Sequence, residues 1–272
     1  MPIAFRTLGF VGFASAISGF TALAQIVQFD DFSSVSDLSL VGSAQQVGSA
    51  LRLTSMSEIQ SGAAWFSRPL PVAQGFSSTF SFRFSGSLNG MSADGITFVV
   101  QSSSPNAIGG NGGGLGYSGI GNSLAVEFDN FQNTQFGDPQ GHHVGILLGG
   151  DVAHGRGPVA EVPGGFVDGS LHTANVTYSG GEIRVSLDGA ATPIVSMQAD
   201  LGSLLTLENG SAYLGFTGGT GAGAQLQDIT AWQVTPVPEP ATSAVVVGFG
   251  LLGFTGWRRA RRTVVGAREN SL

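Results

Sequence analysis

The sequence predicts an all-β fold, an antiparallel β-sandwich, because short runs with a period of two alternate with glycine-rich turns. Apolar and polar residues alternate along residues 51–54, 76–85, 96–101, 174–178 and 182–187. Clusters of Gly, Ser, Asn and Asp separate these runs, and the middle of the chain shows no long helical period. Many short strands joined by such turns are typical of two packed sheets. Without its two ends the chain keeps about 210 residues, a normal length for one β-sandwich domain.

The two ends of the chain are predicted to be targeting segments. Residues 1–24 combine Arg6, an apolar run and an Ala-Leu-Ala sequence, which is typical of a secretory signal peptide and its cleavage site. Near the other end, the 17 apolar residues 241–257 are at the short limit for a transmembrane helix. The arginine cluster that follows, at 258–262, favours a cytoplasmic side for the tail 263–272.

Charge argues against two classes of partner. The chain has no lysine, and removal of both ends leaves five arginines against 16 acids. The mature domain therefore carries a net charge of about −11 with neutral histidines, which disfavours binding to nucleic acid or to anionic lipid. The chain also has no cysteine, so its stability must come from sandwich packing and bound metal rather than from disulfides.

Five side chains of the metal-binding type lie within 17 positions of a chain that is only 11% charged. They are Glu127, Asp129, Asn133, Asp138 and His143. Side chains two apart on a strand share a face, so Glu127 and Asp129 would repel each other unless a cation neutralises them. Oxygen ligands suit calcium, and a histidine beside carboxylates also suits manganese or zinc. We therefore predict two adjacent metal sites that share Asp129 and Asp138, with the carbonyl oxygen of Phe131 as a further ligand.

A strand followed by a solvated loop could carry the same acids without any metal. That explanation would be preferred for any one of the five residues alone. Because all five cluster in a chain that is otherwise poor in charge, metal binding is favoured. His142 is adjacent to His143 in sequence, and we predict that it is a solvated loop residue.

This segment resembles the metal-binding segment of the L-type (legume-type) lectins. The family pattern is V-A-V-E-F-D-T-F-x-N, then G-D-P, then H-I/V-G-I. Here residues 124–133 read LAVEFDNFQN, residues 137–139 read GDP and residues 143–146 read HVGI. The resemblance implies a jelly-roll sandwich of the concanavalin-like type, with the lectin domain at residues 25–235.

The resemblance also implies which residues hold each ion. A transition-metal ion, Mn²⁺, would be held by Glu127, Asp129, Asp138 and His143. Calcium would be held by Asp129, the Phe131 carbonyl, Asn133 and Asp138.

Three further segments resemble loops that hold the sugar in this family. Residues 92–98, SADGITF, are similar to A-D-G-L-A-F, and residues 112–117, GGGLGY, are similar to G-G-x-L-G-x-F. Residues 214–221, LGFTGGTG, are similar to G-F-S-x-x-T-G. The resemblance implies a cis peptide bond between Ala93 and Asp94.

The implied sugar site combines acceptors, donors and an aromatic ring. Asp94 would accept hydrogen bonds from two sugar hydroxyls, and Gly113 and Asn133 would donate. Phe131 would stack on the apolar face of the ring, which is sound chemistry for a sugar. The rim would be closed by backbone amides of Ala222 and Gly223. The rim loop, residues 221–226, is poor in donors, and Gln227 stands where the family usually has a histidine.

The C-terminal segment, residues 236–262, resembles the PEP-CTERM sorting signal of Gram-negative bacteria. It contains Pro-Glu-Pro at 238–240, then the apolar stretch and the arginine cluster, in the order of that signal. The resemblance implies recognition by an exosortase, transient anchoring in the inner membrane and export to the cell surface or the extracellular matrix. It also implies a link to exopolysaccharide. A plain single-span anchor is the alternative, and it would leave the domain on the periplasmic face.

Three functions are compatible with these features. The first is a secreted, calcium-dependent carbohydrate-binding protein without catalysis, whose partners are glycans or exopolysaccharide and whose weak single site favours a homo-oligomer. The second is a glycoside hydrolase, but related hydrolases carry a second glutamate where this chain has Phe131 and Gln132. The third is a matrix or surface scaffold that no longer binds sugar, which the donor-poor rim loop would explain.

Overall fold

The computed structural model describes residues 26–237, which form a sandwich of two β-sheets. In chain order the strands are β1 (Val27–Phe29), β2 (Leu38–Gly42), β3 (Gln45–Val47), β4 (Ala50–Thr54), β5 (Ser61–Phe66), β6 (Leu70–Pro71), β7 (Phe76–Ser85), β8 (Gly95–Gln101), β9 (Ser123–Asp129), β10 (His143–Leu148), β11 (Val159–Glu161), β12 (His172–Ser179), β13 (Glu182–Leu187), β14 (Val195–Gln198), β15 (Ser211–Gly219) and β16 (Leu226–Pro236). Within residues 26–237 the only α-helix is α1 (Leu201–Leu204).

Each sheet contains eight antiparallel strands. The first has the order β14-β13-β12-β7-β16-β4-β3, with β1 paired to β16. The second has the order β11-β10-β9-β8-β15-β5-β2, with β6 paired to β15. The longest pairing is between β7 and β16, where Leu226 lies opposite Ser85 and Pro236 lies opposite Phe76. The antiparallel sandwich predicted from the period-two runs is therefore confirmed.

The core between the sheets follows from the alternation along β7. Phe80 and Phe82 point inward and are fully buried, whereas Ser81 between them is partly exposed. Their rings contact aromatic residues of the facing sheet, with centroid distances of 4.9 Å from Phe80 to Phe216 and 5.1 Å from Phe82 to Phe128. Burial of one phenylalanine contributes about 1.5–3 kcal/mol. These contacts fix the inner faces of β9 and β15, and the outer face of β9 carries Glu127 and Asp129 of the candidate site.

The outer face of the second sheet is covered by loops. Trp65, Ala125 and Leu147 on its strands form a small apolar cluster with Tyr117 from a loop. The Tyr117 hydroxyl also accepts a hydrogen bond from the N–H of Gly150, at 2.9 Å, and so connects two loops. The loops are thereby held against the sheet, and polar side chains beneath them are shielded from solvent.

The predicted signal peptide at 1–24 and the predicted transmembrane segment at 241–257 lie outside the described residues. Within residues 26–237, no helix has the length and apolar character needed to cross a membrane.

Candidate functional site

Strands β9 and β10 bring three of the predicted ligands together. In their antiparallel register, His143 lies opposite Asp129 and Gly145 lies opposite Glu127. Phe128 points into the core, so strand alternation turns its neighbours Glu127 and Asp129 to the outer face. The covering loops leave Glu127, Asp129 and His143 at most 2% exposed.

The loop after β9 folds back and adds Asp138. The N–H of Phe131 donates to Asp129 Oδ1 at 2.7 Å, and the N–H of Asn133 donates to Asp138 Oδ2 at 2.6 Å. One ligand atom from each of Asp129, Asp138 and His143 lies within 4.8 Å of the other two. The structure therefore brings Asp129, Asp138 and His143, three of the predicted ligands, into one cluster.

His143 is held in the orientation that a metal ligand needs. Its Nδ1 lies 3.0 Å from the carbonyl oxygen of Gly141, so Nδ1 carries the proton and donates. Its Nε2 then has a free lone pair, and it faces Glu127 Oε1 and Asp138 Oδ2, each at 3.9 Å. A backbone acceptor on the far nitrogen is a common way to orient a metal-binding imidazole.

A second histidine, His154, reaches the same carboxylates. Its Nε2 lies 3.0 Å from Glu127 Oε1 and 3.3 Å from Asp138 Oδ1, and its side chain is 3% exposed. This residue was not predicted from the sequence, because it belongs to no motif and follows a glycine-rich turn. Its only distinguishing sign was that it is one of four histidines in the chain.

Several buried polar atoms of the cluster lack a hydrogen-bond partner within the described part of the chain. They are Asn133 Oδ1, His143 Nε2 and His154 Nδ1. Unpaired buried polar atoms are costly. Burial raises the pKa of Asp129 well above its usual range, and the charge of Glu127 raises it further. Divalent cations would satisfy these atoms and neutralise the carboxylates, so the residues fit the ions that the resemblance implies.

Asp94 lies next to this cluster on a loop that is held at both sides. The Ala93–Asp94 peptide bond is cis, as predicted. The N–H of Asp94 donates to the carbonyl oxygen of Gly219 at 3.1 Å, and its own carbonyl oxygen accepts from the N–H of Asn130 at 3.0 Å. Asp94 is 3% exposed, and within residues 26–237 its Oδ2 has no hydrogen-bond partner. Burial raises the pKa of this carboxyl to about 7.

Glycines allow the surrounding loops to approach Asp94 and Asn133 closely. A Cβ on Gly113 would collide with the side-chain amide of Asn133. A Cβ on Gly221 would lie 3.4 Å from Asp94 Oδ2, and one on Gly112 would lie 3.9 Å from it. Asp94 thus lies beside Gly112 and Gly221, and Asn133 lies beside Gly113.

Comparison with known proteins identifies the family. A family model of the legume lectin beta-barrel domain matches residues 27–232, about three quarters of the chain. The chain belongs to the legume-type lectin family. A second family model, the PEP-CTERM protein-sorting motif, matches residues 236–262.

Relatives of this lectin domain occur in plants. The L-type lectin-domain containing receptor kinase VIII.1 of Arabidopsis thaliana is 29% identical over 242 residues, which are 81% of this chain and 33% of the kinase. The chain therefore spans about a third of that receptor kinase. A lectin of Leucomphalos mildbraedii is 30% identical over 189 residues, covering 63% of this chain and 75% of the relative.

Solved lectin structures share the fold of the domain. The lectin from Bauhinia forficata in complex with GalNAc superposes with a TM-score of 0.67 at 24% identity, covering 79% of this chain and 99% of the other. The winged bean acidic lectin complexed with methyl-α-D-galactose gives a TM-score of 0.63 at 25% identity, covering 77% and 96%.

The residues of the rim loop differ in their exposure to solvent. Ala222 is exposed, as a rim residue should be. Gly223 is buried instead, and a Cβ there would lie 2.8 Å from Met91 Cγ. Gly221, which sequence analysis did not select, lies beside Asp94. Phe131, the predicted stacking residue, is partly exposed.

Two glutamines hold the rim loop from inside. Gln227, at the position where the family usually has histidine, is fully buried and donates to the Gly219 carbonyl oxygen at 3.0 Å. Gln225 donates to Asn130 Oδ1 at 2.5 Å, and Asn130 donates to the Ser92 carbonyl oxygen at 2.9 Å. These side chains connect the rim to the Asp94 loop, so neither glutamine is available as a surface donor.

The prediction that His142 is a solvated loop residue is wrong. His142 is half-buried, and its ring meets Phe166 edge-on with a centroid distance of 5.3 Å. Its Nδ1 accepts from the N–H of Phe166 at 3.4 Å. The backbone at Gly165 packs directly against the His142 ring, and a Cβ on Gly165 would lie 2.5 Å from it. This contact comes from a distant part of the chain and was not visible in the local sequence.

Metal uptake by the lectin domain should release protons at pH 7. Burial alone would lower the pKa of His154, but the carboxylates of Asp138 and Glu127 raise it to about 9. Without metal, His154 therefore carries a proton below pH 9, and a divalent cation beside it displaces that proton. The affinity for metal should thus fall as the pH decreases below 9.

Calorimetric titration with the metal at pH 7, in two buffers of different ionisation enthalpy, measures this release. We expect at least about one proton released per domain, from His154, and further release from Asp129, whose pKa is also raised in the absence of metal. Equal binding enthalpies in the two buffers would contradict the prediction.

Proposed function

We propose that this lectin domain is an exported, calcium-dependent carbohydrate-binding protein without catalytic activity. The proposal is carried by Asp94, a buried carboxylate whose Oδ2 lacks a partner within residues 26–237 and faces a glycine-lined position. A pair of sugar hydroxyls needs such an acceptor together with nearby donors, and we assign this role to Gly113 and the Asn133 amide. Phe131 provides an apolar surface for the C–H face of the ring.

The metal ions are proposed to support this site from behind. Ca²⁺ would be held by Asp129, Asp138, Asn133 Oδ1 and the Phe131 carbonyl oxygen. A second divalent ion, Mn²⁺ by resemblance, would be held by Glu127, Asp129, Asp138 and His143. When bound, the ions supply positive charge that neutralises the buried carboxylates. Asn133 links the two functions, because its Oδ1 would face calcium while its amide nitrogen is free to donate to the sugar.

The burial of Glu127 supports the absence of glycoside hydrolysis. A glycosidase exposes two carboxyl groups on either side of the scissile bond. Glu127 is 2% exposed and its carboxylate faces His143 and His154. The positions at which related hydrolases carry their second glutamate are Phe131 and Gln132. Glu127 is therefore better explained as a metal ligand than as a catalytic acid.

Export to the cell surface is proposed from the ends of the chain. The PEP-CTERM motif at 236–262 supports processing by an exosortase-type machinery, and residues 1–24 have the pattern of a signal peptide. Glycans of the exopolysaccharide matrix are then the proposed partners. Because a single shallow sugar site binds weakly, we propose that oligomers or dense display provide the avidity.

A matrix scaffold that does not bind sugar is the second candidate. It is favoured by the inward-facing Gln225 and Gln227, which leave only backbone donors on the rim. In that case the metals would serve the stability of the domain alone.

A glycan array separates these functions. The purified full-length chain in detergent is applied with calcium, and again after treatment with a chelator. The panel includes galactose-type sugars, because a galactose-binding lectin of Arachis hypogaea is 27% identical over 203 residues, as well as glucose- and mannose-type sugars. Calcium-dependent binding supports the lectin. Metal uptake without any glycan binding supports the scaffold, and release of reducing sugar would show an enzyme.

A further inference from the structure

His154 is held in a fixed position beside the candidate metal ligands by its backbone and by the strand beneath it. The backbone N–H of His154 donates to the carbonyl oxygen of Phe136 at 2.9 Å, and this bond fixes the loop that carries His154. The strand beneath it has Gly145, where a Cβ would collide with Glu127 Oε1 and lie 2.9 Å from His154 Cε1. The absence of a side chain at position 145 is therefore what allows the imidazole of His154 to reach Glu127.

The two imidazoles present their Nε2 atoms to the same carboxylates. The rings of His143 and His154 are nearly perpendicular, at 81°, with centroids 5.5 Å apart. One ligand atom from each of Glu127, His143 and His154 lies within 4.8 Å of the other two. Both side chains are at most 3% exposed. Within residues 26–237 the Nε2 of His143 has no hydrogen-bond partner, and the Nε2 of His154 contacts only the carboxylate oxygens of Glu127 and Asp138, at 3.0 and 3.3 Å.

We propose that His154 is a direct ligand of the transition-metal ion, and that the resulting two-histidine site selects Zn²⁺, Co²⁺ or Ni²⁺ over Mn²⁺. The inference rests on the metal sites of the proposed function, whose implied ligand set contains only His143. Imidazole suits zinc, cobalt and nickel, whereas carboxylate and water suit manganese. A second buried nitrogen ligand therefore shifts the preference of the site away from manganese.

A different role for His154 makes the opposite prediction. If His154 were a fixed positive charge that balances Glu127 and Asp138, it would repel an incoming cation. Removal of the imidazole would then strengthen metal binding. If it is a ligand, removal weakens the binding of zinc and cobalt more than that of manganese.

The experiment compares metal affinities of the full-length chain with those of its His154→Gln variant. After chelator treatment, calcium is restored in excess to fill its own site, and Zn²⁺, Co²⁺ and Mn²⁺ are titrated in competition with a chromophoric chelator. We expect His154→Gln to weaken Zn²⁺ and Co²⁺ binding about 10- to 100-fold. Its effect on Mn²⁺ should be clearly smaller than its effect on Zn²⁺, because imidazole is a less preferred ligand for manganese. The visible absorption bands of bound Co²⁺ should also shift.

Two further variants keep the test decisive. His142→Gln removes the neighbouring histidine that packs on Phe166, and it should leave all three affinities unchanged. His154→Asp retains a ligand but replaces nitrogen by oxygen, so it should favour Mn²⁺ over Zn²⁺ relative to the native chain. Unchanged zinc affinity and an unchanged Co²⁺ spectrum in a folded His154→Gln variant would overturn the inference, as would tighter zinc binding.

The result is independent of glycan binding. A shifted metal preference in a chain that binds no glycan would support His154 as a ligand and refute the sugar-binding proposal. Calcium-dependent glycan binding, with unchanged metal affinities in His154→Gln, would support the sugar-binding proposal and refute His154 as a ligand.

Discussion

Replacement of Asp94 by asparagine should abolish glycan binding and leave the sandwich intact. The change keeps the size of the side chain but removes the negative charge and one acceptor oxygen, and it places an N–H₂ group where sugar hydroxyls would donate. Loss of two charge-assisted hydrogen bonds costs about 3 kcal/mol or more, which is at least about 100-fold in affinity. Titration calorimetry with the glycan identified on the array measures the loss.

The control for this variant is Asp31→Asn, the same chemical change at an exposed acid remote from the rim loop. It should bind glycan like the native chain. Because burial raises the pKa of the Asp94 carboxyl to about 7, its ionised form destabilises the metal-free fold above that pH. After chelation at pH 8, the Asp94→Asn variant should therefore melt no lower than the native chain. Retained glycan affinity would remove Asp94 from the site.

Replacement of Asp129 by asparagine should remove both ions together with their stabilising effect. Asp129 is the residue that both predicted sites share with Asp138, and it is fully enclosed by the loops. A ligand present at about 1,000 times its dissociation constant stabilises a protein by about 4 kcal/mol. The native chain should lose a stabilisation of this order on chelation, whereas the melting temperature of Asp129→Asn should hardly respond.

Native mass spectrometry and thermal unfolding with and without chelator measure this difference. Glu161→Gln is the matched control, because Glu161 lies opposite His143 in the sheet but is exposed to solvent. It should keep both ions and the full response to chelation. An Asp129→Asn variant that still binds two ions would show that the metals lie elsewhere.

The clustering of the candidate metal ligands on β9 and β10 was predictable because strand geometry determines where their side chains point. Alternation alone places Glu127 and Asp129 on one face, and the short return loop limits where Asp138 and His143 can lie. His154 was not predictable in this way. Its contact depends on a loop that returns across Gly145, and no local pattern in the sequence encodes that return.

Backbone groups of the rim loop were also not predictable from the sequence. An amide that binds a ligand leaves no mark on the side-chain pattern, so sequence alone could not distinguish Gly221, beside Asp94, from the buried Gly223. The packing of His142 was not predictable either, because its partner Phe166 is 24 residues away in the chain. Contacts between distant loops thus account for what the sequence analysis missed.

The course of β16 relates the proposed sugar site to the C-terminal end of the domain. The strand starts at Leu226, directly after the rim loop, and ends at Pro236, where the PEP-CTERM motif begins. At about 3.3 Å per residue its 11 residues span about 35 Å. The attachment end and the sugar end are therefore opposite poles of the sandwich. A chain tethered through its C-terminus would present its sugar site outward, at the distance of one full domain length from the surface that holds it.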